Sequence, residues 1–423
     1  MKEDNKEVPQ DPVDIVDTDD EIVPEPEFVP PEVAAAEDQA LEENSPVKES
    51  DTSPKPPKKA SWWKRTPRKK KLLILIPAGV VLVGAIVAAV LLLTHKKAPV
   101  AAPVAAPVVQ KKVEPPKPTT VASKLTGVQV EPALNARGVT GVMIENSIDA
   151  RPQSGLLDAG VVYEAIAEGG ITRFLALYQT EQPDYIGPVR SARPYYVKWL
   201  LPYNAAYMHI GGSGEALNMI NNYGIRDMGE NGANNPIQRI TSRYAPHNAY
   251  TSMAKMDAVQ ASRGWGALDF PSLVRKAEAP SKAQTAITID FAISSSSFYV
   301  HYDYNATTNS YQRSEGGSPH IDEKSGKQLS PKVVVALVIP YSINADDIHS
   351  DYASVGTGQA FVFQDGVVAD VRWSKPANDA PLVITDANGA ALPLNPGQTW
   401  FTAVGTPGMV TFKAPVVAPV TAP

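Results

Sequence analysis

An α+β body preceded by one transmembrane helix is the architecture this sequence predicts, with a mixed α/β first domain and a mostly β second domain. Three observations point there. Residues 72–93 are 22 uncharged and almost wholly apolar positions, and about 20 such residues cross a bilayer core. Residues 125–270 alternate strand-like and helix-like stretches. Residues 285–405 carry short β-rich runs punctuated by turn signals such as Asp365-Gly366 and Asn388-Gly389.

The segments before the body differ sharply in charge. Residues 1–60 hold 18 Asp and Glu against 6 Lys, with ten Pro. Such a segment cannot bury enough apolar surface to offset its ordering entropy and reads as a disordered acidic tail. Residues 61–71 form a basic collar of six Lys and Arg (Lys64, Arg65, Arg68, Lys69, Lys70, Lys71), with Trp62 and Trp63 beside it. Only Lys96 and Lys97 flank the other side of 72–93. The positive-inside rule therefore puts the N-terminus in the cytoplasm and the body outside, with the membrane as partner through 72–93. A signal peptide fits poorly, because 71 residues precede a run longer than the usual h-region of about 7–15 residues. Residues 94–124 form a Pro/Ala-rich linker, and 411–423 a similar disordered tail. The remaining body is nearly neutral, which argues against a nucleic-acid partner. With no Cys in the chain, a disulfide framework, thiolate zinc sites and a cysteine nucleophile are excluded.

Within the body, residues 161–168 and 171–180 read as strands joined by Gly169-Gly170, a two-residue hairpin turn. Stretches 192–201, 213–223 and 251–263 read as helices, with a strand at 205–210. The second half reads as strands at 286–292, 297–303, 309–314, 333–340, 358–364, 367–373, 382–386 and 399–404. A regular hairpin pairs Ile166 with Arg173 and Glu164 with Leu175, which sets Arg173 diagonally between Glu164 and Glu168 on one sheet face. That Glu–Arg–Glu cluster is either plain cross-strand pairing or a carboxylate oriented for proton transfer or ligand binding.

The segments RPQSGL (151–156), YEAIAEGGITRFLALY (163–178), GPVRSARPYY (187–196), HIGGSGEA (209–216) and APHNAYTS (245–252) resemble the YerB-like family of bacterial envelope lipoproteins. YQRSEGGSPHID (311–322), GTGQAFVFQDG (356–366) and LNPGQTWF (394–401) continue the likeness through the second half. The resemblance implies a two-domain envelope protein of unknown biochemical activity, linked to a cell-wall component or to cell-wall and division proteins. It brings no established catalytic residues. The chain departs from the family pattern in having a predicted transmembrane anchor in place of a lipidated cysteine.

The candidate chemistry lies in the first domain. Arg190 and Arg193 flank Ser191 before a predicted helix, a pattern suited to holding an anion; both could equally cap loop carbonyls or pair with acids. Gly211, Gly212 and Ser213 follow a strand and precede a helix, where glycines permit close approach of a ligand. Ser213 reads as a helix cap rather than a nucleophile. His209 and His247 are candidates for acid/base work, with Glu168 beside them, or for satisfying local hydrogen bonds. His301-x-Asp303 and His320-x-Asp322 share faces of extended strands, but two such pairs arise easily by chance, so no metal or other cofactor is expected. The sequence thus reads as a membrane-anchored envelope protein whose outer domains bind a wall-related anionic ligand or a partner protein. The alternatives are a cell-wall-directed hydrolase or transferase, with Glu168 as acid/base, and a structural scaffold.

Overall fold

A computed structural model describes residues 119–229, 235–284, 288–345, 348–386 and 388–413. The expected acidic tail, basic collar, transmembrane helix at 72–93 and most of the linker lie outside them. Among the described residues no helix is long and apolar enough to cross a membrane.

A ten-stranded mixed sheet organises the body. Its strands in chain order are β1 (Thr140–Glu145), β2 (Val161–Glu168), β3 (Ile171–Tyr178), β4 (Ala206–Met208) and β5 (Arg226–Asp227), then β6 (Val333–Val338), β7 (Gly356–Gln364), β8 (Val367–Lys375), β9 (Val383–Thr385) and β10 (Thr399–Val404). Their spatial order is β9-β8-β7-β6-β10-β2-β3-β1-β4-β5. The last strand, β10, inserts between the two halves of the sequence, pairing in parallel with β6 on one side and β2 on the other. Every residue of β1, β2 and β10 is buried, the pattern of strands covered on both faces. The fold is α+β with a mostly β second half, as the sequence predicts.

Helix α1 (Pro194–Leu200) brings Tyr195, Tyr196 and Trp199 into one core with Tyr163, Leu175 and Met143. Helix α2 (Gly214–Asn222) adds Ala216, Met219 and Ile220 to that core. Helix α3 (Met253–Ser262) packs Met253, Met256 and Val259 into a second core with Phe174, Ala176 and Trp400. Phe174 and Ala176 alternate with Arg173 and Leu175 along β3, so the two cores lie on opposite faces of the sheet. A smaller antiparallel sheet from the second half contributes Ile289, Phe291, Tyr302 and Tyr311 to the first core.

Several expectations need correction. Helix α3 starts two residues later than read, because Ser252 caps it by accepting from Lys255 N–H and Thr251 donates to Pro236 O at 3.1 Å. The strand Val410–Lys413 runs into the expected C-terminal tail, because it completes the smaller sheet against Thr288–Phe291. Residues 121–122, at the end of the expected linker, pair with 129–130. The hairpin register is also shifted. Its turn is as read, with Gly169 and Gly170 at φ 54° and 76°, but β2 carries a bulge between Ile166 and Glu168. Arg173 therefore faces Ala165, and Glu164 faces Phe174. One extra residue reverses side-chain parity, so Glu164 leaves the predicted cluster for the other face.

Candidate functional site

The cluster forms nonetheless, with a different second glutamate. Strand β1 was not foreseen, and its last residue, Glu145, stands directly opposite Arg173. Arg173 ion-pairs with Glu168 Oε1 and its Nη1 donates to Ser191 O at 3.0 Å. Arg193 brings Nη2 to 3.0 Å from the same Glu168 oxygen. Arg190 sets Nε 3.4 Å from Glu145 Oε1. The segment carrying these arginines is held beside β1 by backbone bonds: Arg190 N–H donates to Met143 O and Glu145 N–H to Pro188 O. Alternation along it turns Val189 into the second core and Arg190 toward Glu145.

All five ionic side chains are nearly buried, from 2% exposed for Glu145 and Arg193 to 6% for Arg190. Burial opposes the charge on Arg173, but Glu168, Tyr195 and Glu145 outweigh it and hold the guanidinium above its ordinary value. Both glutamates use one oxygen heavily. Their second oxygens, Glu145 Oε2 and Glu168 Oε2, find no hydrogen-bond partner among the described residues. Buried carboxylate oxygens call for donors. The cluster can therefore receive O–H or N–H groups from water or a ligand.

The cluster reaches solvent at Ser147 and His247. Ser147 Oγ donates to Glu145 Oε1 at 2.6 Å, and His247 Nδ1 lies 2.9 Å from the same oxygen. Ser147 Oγ is also 3.3 Å from Nδ1. Because serine and glutamate share one ring nitrogen, this is not a nucleophile–base–acid relay, in which the imidazole bridges the two. Exposed Tyr244 stands edge-on to His247 at 5.2 Å.

Other predicted residues do not converge here. His209 is 2% exposed, with Nδ1 2.6 Å from Gly211 O and Nε2 3.0 Å from Asp227 Oδ1. Burial opposes ionisation of Asp227, yet bonding and charge from His209 and the Gly229 N–H hold it below the usual carboxylate range. The close approach foreseen at the glycines is made by the chain's own backbone. Ala192 N–H donates to Gly211 O, Ser213 N–H to Ala192 O, and a Cβ on Gly212 would stand 3.2 Å from Ala192 Cβ. Ser213 caps α2 by accepting from Ala216 N–H.

Glu164 anchors a separate network on the opposite face. Its Oε1 accepts from Arg313 Nη2 at 3.0 Å and Thr172 Oγ1 at 3.3 Å, and its Oε2 from Trp400 Nε1 at 2.9 Å. Arg313 Nε donates to His320 Nδ1, leaving His320 Nε2 to donate to Gln153 Oε1 at 2.9 Å. Glu315 joins through Asn146 at 2.6 Å and Arg151 at 3.3 Å. Asp322 accepts from Gly155 N–H at 2.7 Å. Half-buried His301 bridges Asp290 and Asp303. Both HxD pairs are thus committed to local bonds.

Sequence reasoning missed Glu145, Ser147 and Arg313. The apolar run Val142–Ile144 ending in Glu145 was the available signal for β1; nothing near Arg313 announces a partner 149 residues away.

The family described as "Protein of unknown function (DUF3048) N-terminal domain" matches residues 125–266, and its C-terminal counterpart matches residues 287–401. The chain is similar to the Bacillus subtilis (strain 168) protein named "Putative lipoprotein YerB", 30% identical over 299 residues covering 70% of this chain and 89% of that one. The crystal structure of Bacillus subtilis YerB superposes with a TM-score of 0.62 at 28% identity, over 69% of this chain and 99% of the other.

Proposed function

The chain belongs to the YerB-like family built from paired DUF3048 domains, and from that membership we propose that it is a membrane-anchored envelope protein whose body binds a cell-wall component or a wall-associated partner. The single observation that carries the binding site is the pair of buried glutamates, Glu145 and Glu168, each with one oxygen lacking a donor among the described residues. An anion is the poorer occupant, because each arginine already faces a glutamate and an anion would have to displace it. A ligand rich in hydroxyl, amide or amino groups fits better, entering past Ser147 and His247. The wall and membrane setting draws on the apolar run 72–93, its basic flank and the lipoprotein description of the relative.

The direct test is co-sedimentation of the full chain with purified peptidoglycan sacculi. Wild-type protein should pellet with them, and Glu145→Gln or His247→Ala should reduce pelleting about tenfold, the effect of losing a charge-assisted hydrogen bond. Equal pelleting of all three, or none by the wild type, would remove this reading. For the anchor, protease added to intact cells should digest the body and spare residues 1–60.

One observation favours a second reading, a wall-directed hydrolase or transferase. Glu145 holds His247 through Nδ1, as a carboxylate holds a general-base imidazole. Release of soluble fragments from sacculi, abolished by His247→Ala, would select it.

A further inference from the structure

We propose that a cavity near the C-terminal end of α1 is a second binding site, taking a small aromatic or branched aliphatic carboxylic acid. The cavity encloses about 250 Å³ and adjoins none of the cluster residues. Arg193 precedes α1 at the cluster, whereas Trp199 in its last turn lines the cavity.

Its walls are aromatic and aliphatic, with Tyr163, Trp199, Tyr203, Ile384 and Leu392 among them. Tyr163 is clamped between Trp199 and Phe401 at ring separations of 5.3 and 4.8 Å, so one wall is rigid. Its polar side chains include several donors. Trp199 Nε1 is buried with no hydrogen-bond partner among the described residues. The Tyr163 and Tyr203 hydroxyls bond each other at 2.9 Å, which uses one of their two hydrogens and leaves the other. Lys375 is fully buried, and its ammonium donates to Asn378 O at 2.8 Å and to Ala380 O. An ammonium has three hydrogens, so one remains.

Among the described residues no aspartate or glutamate lines the cavity. Burial and the Lys198 charge pull Lys375 down to about 8, against the raising effect of Asp379, so the amine is mostly charged at neutral pH. A buried cation with spare donors and no ion-paired acid asks for an anionic acceptor. The apolar walls ask for a hydrocarbon body. A dry cavity of about 150 Å³ takes benzene, so this one holds a ring with a short chain and is too small for a lipid tail.

The probe is 4-phenylbutyrate, titrated calorimetrically into the full chain in lipid nanodiscs, with empty nanodiscs and the neutral 4-phenylbutanol as controls. The acid should bind the protein and the alcohol about tenfold more weakly. Lys375→Met should erase that preference, and Leu392→Trp, which fills the cavity, should abolish binding of both. Should Lys375→Met fail to fold, the Leu392→Trp variant and the acid–alcohol comparison decide. No heat beyond empty nanodiscs at millimolar probe overturns the proposal. So does binding that ignores the head group and the cavity-filling variant. The sacculus assay is independent of all these outcomes.

Discussion

Two buried glutamate–arginine groups occupy opposite faces of one sheet, and they are wired differently. Glu164 has both oxygens engaged, by Arg313, Thr172 and Trp400, which come from three separate elements. Glu145 and Glu168 each concentrate their bonds on one oxygen. The first arrangement stitches the two halves of the chain together, since Arg313 and Trp400 belong to the second half and Glu164 to the first. The second is drawn almost wholly from the first half and reaches the surface at Ser147 and His247. On the proposed reading, identical residue types serve cohesion on one face and recognition on the other, with Glu164 fully engaged and Glu145 and Glu168 each keeping one oxygen open.

The largest expected effect comes from breaking the network around Glu164. Arg313→Ala strands Glu164 in the core, where its loss should cost about 3–5 kcal/mol. Urea denaturation should show the midpoint collapsing, and a near-native midpoint would deny the network its role. Arg173→Ala should cost less, about 1–3 kcal/mol, because Arg193 remains on Glu168 Oε1.

A pH series sharpens the contrast. Burial, then the charges of Arg313 and Arg151, hold His320 well below its ordinary value of 6.5. Below that pH the unfolded chain takes up a proton that the folded chain refuses. Stability should therefore fall as pH drops through about 6.5, by up to about 1.4 kcal/mol per pH unit from this group. Glu315, raised by burial despite Arg313 and Arg151, has the opposite sign, so the His320→Gln difference isolates the histidine. A slope unchanged in that variant would refute the assignment.

Much of this architecture was legible and the rest was not, for identifiable reasons. The β2–β3 hairpin was readable because Gly169-Gly170 supplies the two positive-φ positions its turn needs. Its bulge was not, since the extra residue is indistinguishable in composition from its neighbours, and that one residue sent Glu164 to the other face. The pairing of Glu168 with Arg173 and the closeness of Arg190, Ser191 and Arg193 were legible because hairpin and loop geometry are local, whereas the contacts that join the two groups are made by tertiary packing. Glu145 was passed over with its strand, where Gly141 interrupts the β pattern: a Cβ there would collide with the Leu200 side chain. His209 and Gly211–Gly212 looked like site residues because local motifs do not reveal that Asp227 and Ala192 already occupy them.

The most direct measurement compares Glu145→Gln with Glu164→Gln for both urea midpoint and affinity for sacculi. Neutralising Glu145 should leave the unfolding free energy within about 1 kcal/mol of wild type while binding falls about tenfold. Neutralising Glu164 should lower the midpoint and leave the affinity of the protein still folded unchanged. The reverse pattern, or two variants that behave alike, would contradict the division between the two faces.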